Sequence, residues 1–493
     1  MKLKVKQLKW SAGLPVAILN ERTAKEIGVN TKGRVSIKTF FKRSREIFTV
    51  VDIIKSLVKE NEIMISSEIK KNLGVDFGNF VDVNLAPFSE SLKFIKKKLN
   101  GEKLSRSEIN EIIQDVVDNS LSEEEIALFV SAVYKQGMDF NELIFLIEAI
   151  LSSGNKLSIK NKFVADKHSI GGVAGNRTTP IVVSICASAG LIMPKTSSRA
   201  ITSAAGTADV METVSKVDFS IKELKKILKK TNAFIVWGGT LGMAVADSKI
   251  LEIEEELTID PEAFLLASIM SKKLAAGSKN ILIDIPYGKG SKIENKKRAI
   301  ILKKKFERLG RFFNKNLKCV LTNGSQPIGN GIGPALEMLD IIKILNPKEK
   351  GPKDLEKKSL FLAGKLLEMT GKSKKGKGEE MAKEILISGK AFEKFKEIIK
   401  AQGGSLKKIK LAKFKKNILS KKSGKILEID NKKISFLARL AGCPMDKSSG
   451  VYLYLHINEK VKKREKILTV YASSKERLNQ AISAYYKTNP VRY

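Results

Sequence analysis

The sequence predicts an α/β protein that carries a helical lobe and an added β-rich N-terminal domain. Three patterns predict this class. Short apolar or alternating runs fill residues 1–85, amphipathic helical periods begin near residue 89, and strands alternate with helices after residue 160. Such alternation is typical of α/β domains, whose ligands bind where strands end and helices begin.

We expect four regions along the chain. In order, they are an N-terminal β-rich domain at 1–85, a helical lobe at 86–158 completed by about 245–276, an α/β domain with a mixed sheet at 159–244 and 277–409, and a C-terminal α+β region at 410–493. The glycine–lysine stretch at 371–378 is predicted to be a linker or flexible loop.

Helix starts carry the clearest local signals. Ser105-x-x-Glu108 and Ser122-x-x-Glu125 are predicted capping boxes, and Asp139 is predicted to cap the next helix. After residue 160, the predicted buried strands are KFVAD, GLIMPK, AFIVWGG, NILIDIPYG and KCVLTNG. The predicted helices between them lie at roughly 178–189, 221–231, 261–275 and 293–313.

Composition excludes several classes of protein. The chain has 493 residues, 43% of them apolar, which is enough for more than one packed core. Its three cysteines lie far apart, which argues against a disulfide framework and a cysteine zinc site. The start, MKLKVKQLKW, lacks the apolar core of a signal peptide. We therefore expect a cytoplasmic protein with no membrane partner.

The formal net charge of +37 raises the question of a polyanionic partner. The lysines are spread along the whole chain, and no basic stretch is interleaved with aromatic residues. We therefore expect no nucleic-acid partner, although a basic nucleic-acid-binding protein stays open as an alternative. A basic surface would still attract a small phosphorylated substrate.

The stretch KHSIGGVAGNRT has the composition of an anion cradle. It is predicted to follow a strand at 163–166 and to precede a helix that begins near Thr178. Gly171 and Gly172 would let the backbone approach a ligand closely, and N–H groups at the helix start attract anions. Lys167, Ser169 and Thr178 would add a charge and two hydroxyls. An ordinary glycine turn explains this stretch, taken alone, equally well.

Two further stretches carry polar side chains in a pattern that suits a ligand. PKTSSRAITSAAGTAD is rich in hydroxyls, which are costly to bury unless something bonds them. Its candidate side chains are Thr196, Ser197, Ser198, Arg199, Thr202, Ser203 and Thr207. A capped helix start followed by a solvated loop is the alternative.

In the third stretch, TIDPEAFLLASIMSKK, Asp260 and Pro261 are predicted as the N-cap and first residue of a helix. Ser268 and Lys272 are four residues apart and would share one face of that helix. Beside a ligand, they would bind polar groups of a base or a phosphate. A solvated lysine is the alternative for Lys272. With His168 and His456 as the only histidines, no histidine metal site or Ser-His-Asp triad is expected.

In this order, the three stretches resemble the type II nucleoside phosphorylases, and among them the archaeal AMP phosphorylases. The resemblance covers nearly the whole chain and rests on KHSIGG, TSSRAITSAAGTAD, VWGG, ASIMSKK, LIDIPYGKG and QPIGNGIGPALE. It implies the nucleoside phosphorylase type II fold. Patterns similar to the first two blocks also occur in anthranilate phosphoribosyltransferases, which are related in fold.

The resemblance also implies a reaction. AMP, and also CMP or UMP, would react with inorganic phosphate to give the free base and ribose 1,5-bisphosphate in nucleotide salvage. No metal or organic cofactor is implied. The family's N-terminal and C-terminal domains assemble subunits, so a homo-oligomer is expected.

Site residues are implied by the same resemblance. Asp260 would be the proton donor to the departing base. AMP would contact Gly172, Ser198, Arg199, Ala200, Ile201, Thr202, Ser203, Thr207, Ser268 and Lys292. The base-binding positions would be His168, Ser268 and Lys272. The phosphate-binding positions would be Lys167, Ser169, Thr178, Ser197 and Thr207.

Two departures bear on these implications. The base-binding arginine of the thymidine enzymes falls at Ile253, which argues against a pyrimidine nucleoside phosphorylase without removing that alternative. Arg464 stands where the family usually has a glycine, so we expect an altered positive-φ turn there. A Mg²⁺-dependent phosphoribosyltransferase of related fold also stays open.

Overall fold

The structure of the chain is a computed structural model. It describes residues 1–8, 15–41, 44–87, 89–157, 159, 161–200, 203–239, 242, 245–406 and 409–493. The chain divides into two compact units, Met1–Ser153 with Val245–Ser268, and Gly154–Ala244 with Ile269–Tyr493. The predicted boundaries of the four regions stay a prediction.

Helices and strands alternate through much of the described chain. The helices are α1 (Glu21–Ile27), α2 (Ser67–Leu73), α3 (Ser91–Leu99), α4 (Arg106–Val117), α5 (Glu123–Gln136), α6 (Phe140–Ser152), α7 (Thr178–Ser188), α8 (Thr207–Met211), α9 (Ile221–Thr231), α10 (Val245–Leu257), α11 (Glu262–Ala275), α12 (Lys296–Phe312), α13 (Pro334–Leu345), α14 (Lys353–Met369), α15 (Gly378–Ile387), α16 (Lys390–Ala401), α17 (Asn431–Ala441) and α18 (Lys475–Thr488).

Most of the strands are shorter than most of the helices. They are β1 (Lys2–Gln7), β2 (Val16–Asn20), β3 (Arg34–Thr39), β4 (Glu46–Ile54), β5 (Glu62–Ile65), β6 (Phe80–Leu85), β7 (Ala165–Ser169), β8 (Met193–Ser197), β9 (Ala233–Trp237), β10 (Asn280–Tyr287), β11 (Asn316–Asn323), β12 (Gly331–Ile332), β13 (Phe414–Leu419), β14 (Gly424–Lys425), β15 (Glu428–Ile429), β16 (Gly450–Leu453), β17 (Lys460–Val461), β18 (Lys466–Ala472) and β19 (Val491–Arg492).

Strands β1 to β6 of the first unit close into a barrel in the order β1-β5-β2-β4-β3-β6. Alternate residues point inward, so that Leu3 and Val5 of β1, and Val35 and Ile37 of β3, are fully buried. Closure pairs every strand with two neighbours and removes the exposed sheet edges. The predicted β-rich character of the N-terminal region is confirmed.

Outside the barrel region, the first unit contains helices α3 to α6, α10 and the start of α11. The predicted capping boxes at Ser105 and Ser122 are both present, and Asp139 caps α6 as predicted. Each box supplies partners for N–H groups that the first turn of a helix leaves unbonded. A buried ion pair of 2.7 Å joins Lys98 of α3 to Glu142 of α6.

The described strands at the centre of the second unit all pair in parallel, so the mixed sheet predicted for the α/β domain was wrong. Strand β7 pairs with β10, and β10 pairs with β11. On the other side of β7, a parallel bridge from Val164 to Ile192 leads to β8, which pairs with β9. Strands β8 and β9, which follow β7 in the chain, therefore lie on one side of it, whereas β10 and β11 lie on the other side. Ligands of α/β proteins bind at such a reversal, beyond the carboxyl ends of the strands.

One predicted strand lies in a different place. The sequence predicted a strand at 163–166 followed by a loop, whereas β7 spans Ala165–Ser169. Lys167 and His168 therefore belong to the strand, where they are in register with Leu282 and Ile283 of β10. Hydrophobic patterning missed this because buried ion pairs and hydrogen bonds satisfy the polar side chains of β7.

The glycine–lysine stretch at 371–378 is a tight turn between two packed helices. The Glu368 carboxylate accepts hydrogen bonds from the N–H groups of Gly376 (3.1 Å) and Gly378 (3.3 Å). A Cβ atom on Gly378 would lie 2.1 Å from the carbonyl oxygen of Gly364. The stretch is a loop, as predicted, and Gly378 lets α14 and α15 approach closely. Its flexibility stays a prediction.

The C-terminal region contains a four-stranded antiparallel sheet in the order β12-β16-β18-β13. Helices α17 and α18 share an apolar core with it, including Leu437, Val470 and Ile482. The turn before β18 keeps a positive φ of 69° at Arg464, whose N–H donates to the carbonyl of Ser420 (2.8 Å). Within the described ranges, every helix is too short or too polar to cross a lipid bilayer.

Replacing Arg464 by glycine is expected to stabilise the fold. A side chain in left-handed backbone costs about 1–2 kcal/mol, and the greater freedom of glycine in the unfolded chain returns part of this. Arg464→Gly should raise the free energy of unfolding by about 1 kcal/mol in urea denaturation. Arg464→Ala is the matched control, because it removes the same side chain but keeps a Cβ. Equal stabilisation by both variants would contradict the explanation.

Candidate active site

The cradle residues Lys167 and Thr178 are in direct contact. The Lys167 side chain is 1% exposed, and its Nζ donates to Oγ1 of Thr178 at 2.6 Å. Thr178 is the first residue of α7, where backbone N–H groups attract anions. Thr178 is itself fully buried, and because its oxygen accepts from the ammonium, the contact with Lys167 leaves its single hydroxyl proton unused. Burial, opposed by attraction to Asp284, lowers the pKa of Lys167 to about 7.

Ser169, the third cradle residue, is bonded differently. Its hydroxyl donates to Oδ2 of Asp284 (3.0 Å), while Oδ1 of Asp284 accepts from Thr322 (2.6 Å). The ammonium of Lys358 lies 3.0 Å from the same Oδ2. Burial opposes ionisation of Asp284, but Lys358 and Lys167 hold its pKa below the usual range. The sequence analysis missed Asp284, although a charged residue inside the apolar run ILIDI was a usable signal.

A second buried carboxylate holds two further lysines. Asp166 accepts from Lys195 Nζ (3.1 Å) and from Lys273 Nζ (2.8 Å). Lys195 also donates to the carbonyl oxygen of Lys167 (2.9 Å). Burial lowers the pKa of Lys273 to about 7, although Asp166 attracts its charge. These three residues were not predicted as part of the site.

The described residues in and around the parallel sheet therefore hold an excess of buried positive charge. Lys167, Lys195, Lys273 and Lys358 are buried. The carboxylates that pair with them belong to Asp166 and Asp284. Unbalanced buried charge is costly, and a bound anion would offset it.

His168 lies on β7 beside this charge. Burial, followed by repulsion from Lys273, Lys195 and Lys167, holds its pKa well below the usual range. The ring is therefore neutral near pH 7. A neutral imidazole can both donate and accept hydrogen bonds, which suits its predicted contact with a base.

The glycine loop after β7 brings two predicted AMP residues together. Gly171 and Gly172 have φ values of 92° and 81°. A Cβ on Gly172 would lie 2.2 Å from the backbone nitrogen of Lys292, so only glycine allows this approach. The loop thus packs against the segment that follows β10.

The loop after β8 is held from within by an aspartate. One carboxylate oxygen of Asp209 accepts from the N–H groups of Ala200 (2.7 Å) and Gly206 (2.8 Å). The Ser203 hydroxyl donates to the carbonyl of Ala205 (3.0 Å). Ser197 ends β8, and the Ser198 carbonyl accepts from Ala208 (3.3 Å). The predicted residues Ile201 and Thr202 lie outside the described residues.

Arg199, another predicted AMP contact, is already engaged. Its guanidinium bonds both oxygens of Glu212 (2.7 and 3.0 Å) and lies 3.3 Å from Asp209. It also stacks on Trp237, 5.0 Å from the ring centroid. This pairing lowers the pKa of Glu212 to about 2. The contacts give Arg199 a role in holding the loop, whereas its contact with AMP stays a prediction.

Arg177 was not assigned a role from the sequence. Its guanidinium donates to the Thr207 hydroxyl (2.9 Å) and to the Ala205 carbonyl (2.6 Å). It also forms a 2.6 Å ion pair with Glu337. An arginine within a glycine-rich stretch was visible in the sequence, but its partners on two other segments were not.

Asp260 and Ser268 belong to the first unit, whereas Lys272 belongs to the second. Helix α11 begins at Glu262, and the Pro261 carbonyl accepts the first helical hydrogen bond from Leu265 (3.1 Å). Pro261 therefore occupies the capping position that was predicted for Asp260. Ser268 and Lys272 lie one turn apart on α11, as their spacing predicted.

The described part of the chain contains no candidate metal site. No group of three or more histidine, cysteine or acidic side chains there could hold a metal ion.

Comparison with known proteins identifies the family. Residues 92–154 match the helical bundle domain of the glycosyl transferase family, and residues 161–392 match its a/b domain. Residues 425–492 match the pyrimidine nucleoside phosphorylase C-terminal domain. An AMP phosphorylase from Thermococcus kodakarensis is 43% identical over 496 aligned residues, which cover 100% of this chain and 98% of the relative. The chain belongs to the AMP phosphorylase family.

Further comparisons agree with this assignment. The AMP phosphorylase of Methanocaldococcus jannaschii is 42% identical over 453 residues, which cover 91% of this chain and 90% of the relative. Anthranilate phosphoribosyltransferase from Thermus thermophilus superposes with a TM-score of 0.52 at 17% identity. The superposition covers 63% of this chain and 99% of the Thermus thermophilus chain, and it shows that the two proteins share a fold. The predicted nucleoside phosphorylase type II fold is confirmed.

The two neighbouring glycines of the cradle should respond differently to alanine. Both have positive φ, but a Cβ on Gly171 would meet nothing within 4 Å, whereas one on Gly172 would overlap Lys292. Gly172→Ala should therefore lower the free energy of unfolding by about 1–3 kcal/mol more than Gly171→Ala does. Urea denaturation of both variants tests this. Equal losses of the free energy of unfolding in the two variants would show that the positive φ, and not the overlap with Lys292, causes the loss.

Proposed function

We propose that this chain is a pentosyltransferase that cleaves AMP, and also CMP and UMP, with inorganic phosphate. The products are the free base and ribose 1,5-bisphosphate, as in AMP catabolism. Membership of the family supports this reaction. The observation that carries the proposal is the excess of buried lysines beneath loops lined with hydroxyls, at the reversal of the parallel sheet.

The chemistry explains why such a site is needed. An oxygen of inorganic phosphate attacks C1′ while the C1′–N bond breaks, and the electron pair of that bond stays with the base. Both reactants carry phosphate groups that repel each other. A site that holds two anions close together must supply positive charge and hydrogen-bond donors in fixed positions.

In this proposal, the phosphate is held by Lys167, Ser169, Thr178, Ser197 and Thr207. Lys167 supplies charge through Thr178, whose hydroxyl oxygen it already contacts at 2.6 Å. AMP is held by Gly172, Lys292 and the loop from Ser198 to Ser203, with Thr207 touching both anions.

The base is held by His168, Ser268 and Lys272. Asp260 donates a proton to the base as the C1′–N bond breaks, which neutralises the electron pair left on the ring. The enzyme needs no metal or organic cofactor and works in the cytoplasm as a homo-oligomer.

The first test is release of free base from AMP and from adenosine, each with and without phosphate and each with and without EDTA. Adenine should appear from AMP only when phosphate is present, because phosphate is the attacking group. Release from adenosine instead would move the assignment to a nucleoside phosphorylase. Release that EDTA abolishes would favour a phosphoribosyltransferase. No release, together with salt-dependent nucleic-acid binding, would favour a nucleic-acid-binding protein.

The same assay tests the proton donor. Asp260→Asn keeps the shape of the side chain but removes the proton, so release of adenine should fall by about 100-fold or more. Asp354→Asn is a matched control, since Asp354 belongs to α14 in the second unit and has no proposed part in the reaction. Full activity of Asp260→Asn would show that another group protonates the base.

The pKa of Lys167 predicts how phosphate binding depends on pH. Because burial lowers this pKa to about 7, Lys167 loses its proton in the free protein as the pH rises above that value. A phosphate dianion binds the protonated form, so binding at higher pH requires uptake of a proton. The KM for phosphate should therefore rise by up to about tenfold per pH unit from about pH 8 to about pH 9.

Lys167→Arg provides the control for this effect. A guanidinium stays protonated throughout the range, so the variant should bind phosphate less well but with a nearly flat profile. A wild-type KM that does not change over this range would rule out Lys167 as the titrating group.

A further inference from the structure

The guanidinium of Arg177 joins elements that the chain order separates. Arg177 precedes the first residue of α7, while Ala205 and Thr207 lie in and just after the loop that follows β8. Nη1 donates to Oγ1 of Thr207 (2.9 Å), and Nη2 donates to the Ala205 carbonyl (2.6 Å). One planar group therefore fixes the spacing between the two anion-binding loops.

Glu337 of α13 sets the orientation of this guanidinium. Its Oε2 accepts from Nε of Arg177 at 2.6 Å, and its Oε1 accepts from the N–H of Gly333 (3.1 Å). The side chains of Arg177 and Glu337 are 13% and 2% exposed. Because Nε is held by one partner, the two terminal nitrogens are left in fixed directions toward the loop after β8.

The contact with Thr207 has a consequence for hydrogen bonding. A hydroxyl group has one proton and two lone pairs, and Arg177 uses one of the lone pairs. The proton of Thr207 therefore stays available to an anion, and the nearby positive charge strengthens it as a donor. Lys167 acts on Thr178 in the same way at the other loop.

We propose that Arg177 is a positioning residue that presents the Thr207 hydroxyl to the phosphate and holds the loop after β8 against the start of α7. This inference rests on the proposed function for the contact between Thr207 and phosphate. Arg177 acts through Thr207, so its loss weakens phosphate binding more than it slows the chemical step.

The test removes the guanidinium without leaving a buried carboxylate unpaired. Arg177→Met combined with Glu337→Gln replaces both charges, so the fold should be retained, as a thermal unfolding midpoint close to that of the wild type would show. The KM for phosphate should rise by about 10- to 100-fold, with kcat changed by less than about threefold. Arg177→Lys keeps one ion pair but cannot reach three acceptors, so it should give an intermediate KM.

Arg311→Met is the matched control, since Arg311 is an exposed arginine on α12. It should leave both kinetic constants unchanged. Adding Thr207→Val to the double variant should raise the KM by less than Thr207→Val does in the wild type, because the two residues act as one unit. An unchanged KM for phosphate in the folded double variant, or fully additive effects, would overturn the proposal.

A binding measurement distinguishes failure of the proposed function from failure of this inference. If the wild-type protein releases no base from any nucleotide, equilibrium dialysis with inorganic phosphate replaces the kinetic assay. Weaker phosphate binding by the double variant than by the wild type would still support the role of Arg177. Equal binding by the two proteins, or none by the wild type, would refute it.

Discussion

The balance of buried charge at the centre of the parallel sheet is the constraint on which the site depends. Burial of a lone ammonium is costly, yet Lys167 and Lys273 lie buried near other lysines, with Asp166 and Asp284 as their counter-charges. The protein accommodates the excess by lowering the pKa of both lysines to about 7. An anion bound beside Lys167 would raise the pKa of that lysine again. The sheet therefore holds charge that is stabilised best when an anion is bound.

Hydroxyl groups connect the buried cations to the loops at the strand ends. Thr178 and Thr207 each accept a hydrogen bond from a cation, Lys167 and Arg177 respectively, and each keeps its own proton for a ligand. Ser169 differs because it donates its proton to Asp284, so its hydroxyl must rotate before it can donate to phosphate. In the proposed site, the cationic side chains would thus act on the anion through the small hydroxyl groups that they contact.

Local signals in the sequence predicted much of this fold, whereas long-range pairing was beyond them. The capping boxes at Ser105 and Ser122 formed as predicted, because a box needs residues only three positions apart. Strand β7 was misplaced, because its polar residues are satisfied by partners such as Thr178 that spacing alone does not identify. Arg177 was missed for the same reason, since Glu337 lies 160 residues further along the chain. The turn at Arg464 keeps its positive φ without glycine, which a residue-type rule does not anticipate.

Surface charge and buried charge act differently in this chain, whose formal net charge is +37. Water weakens the electric field of exposed lysines, and salt screens it within about 10 Å. Buried charges interact in a medium of lower effective dielectric constant, where the same separation gives a several-fold larger energy. The surface would speed the approach of any polyanion, including nucleic acid. In the proposed site, the charge of the buried Lys167, which contacts Thr178, would therefore act more strongly on a phosphate group than the charge of an exposed lysine would.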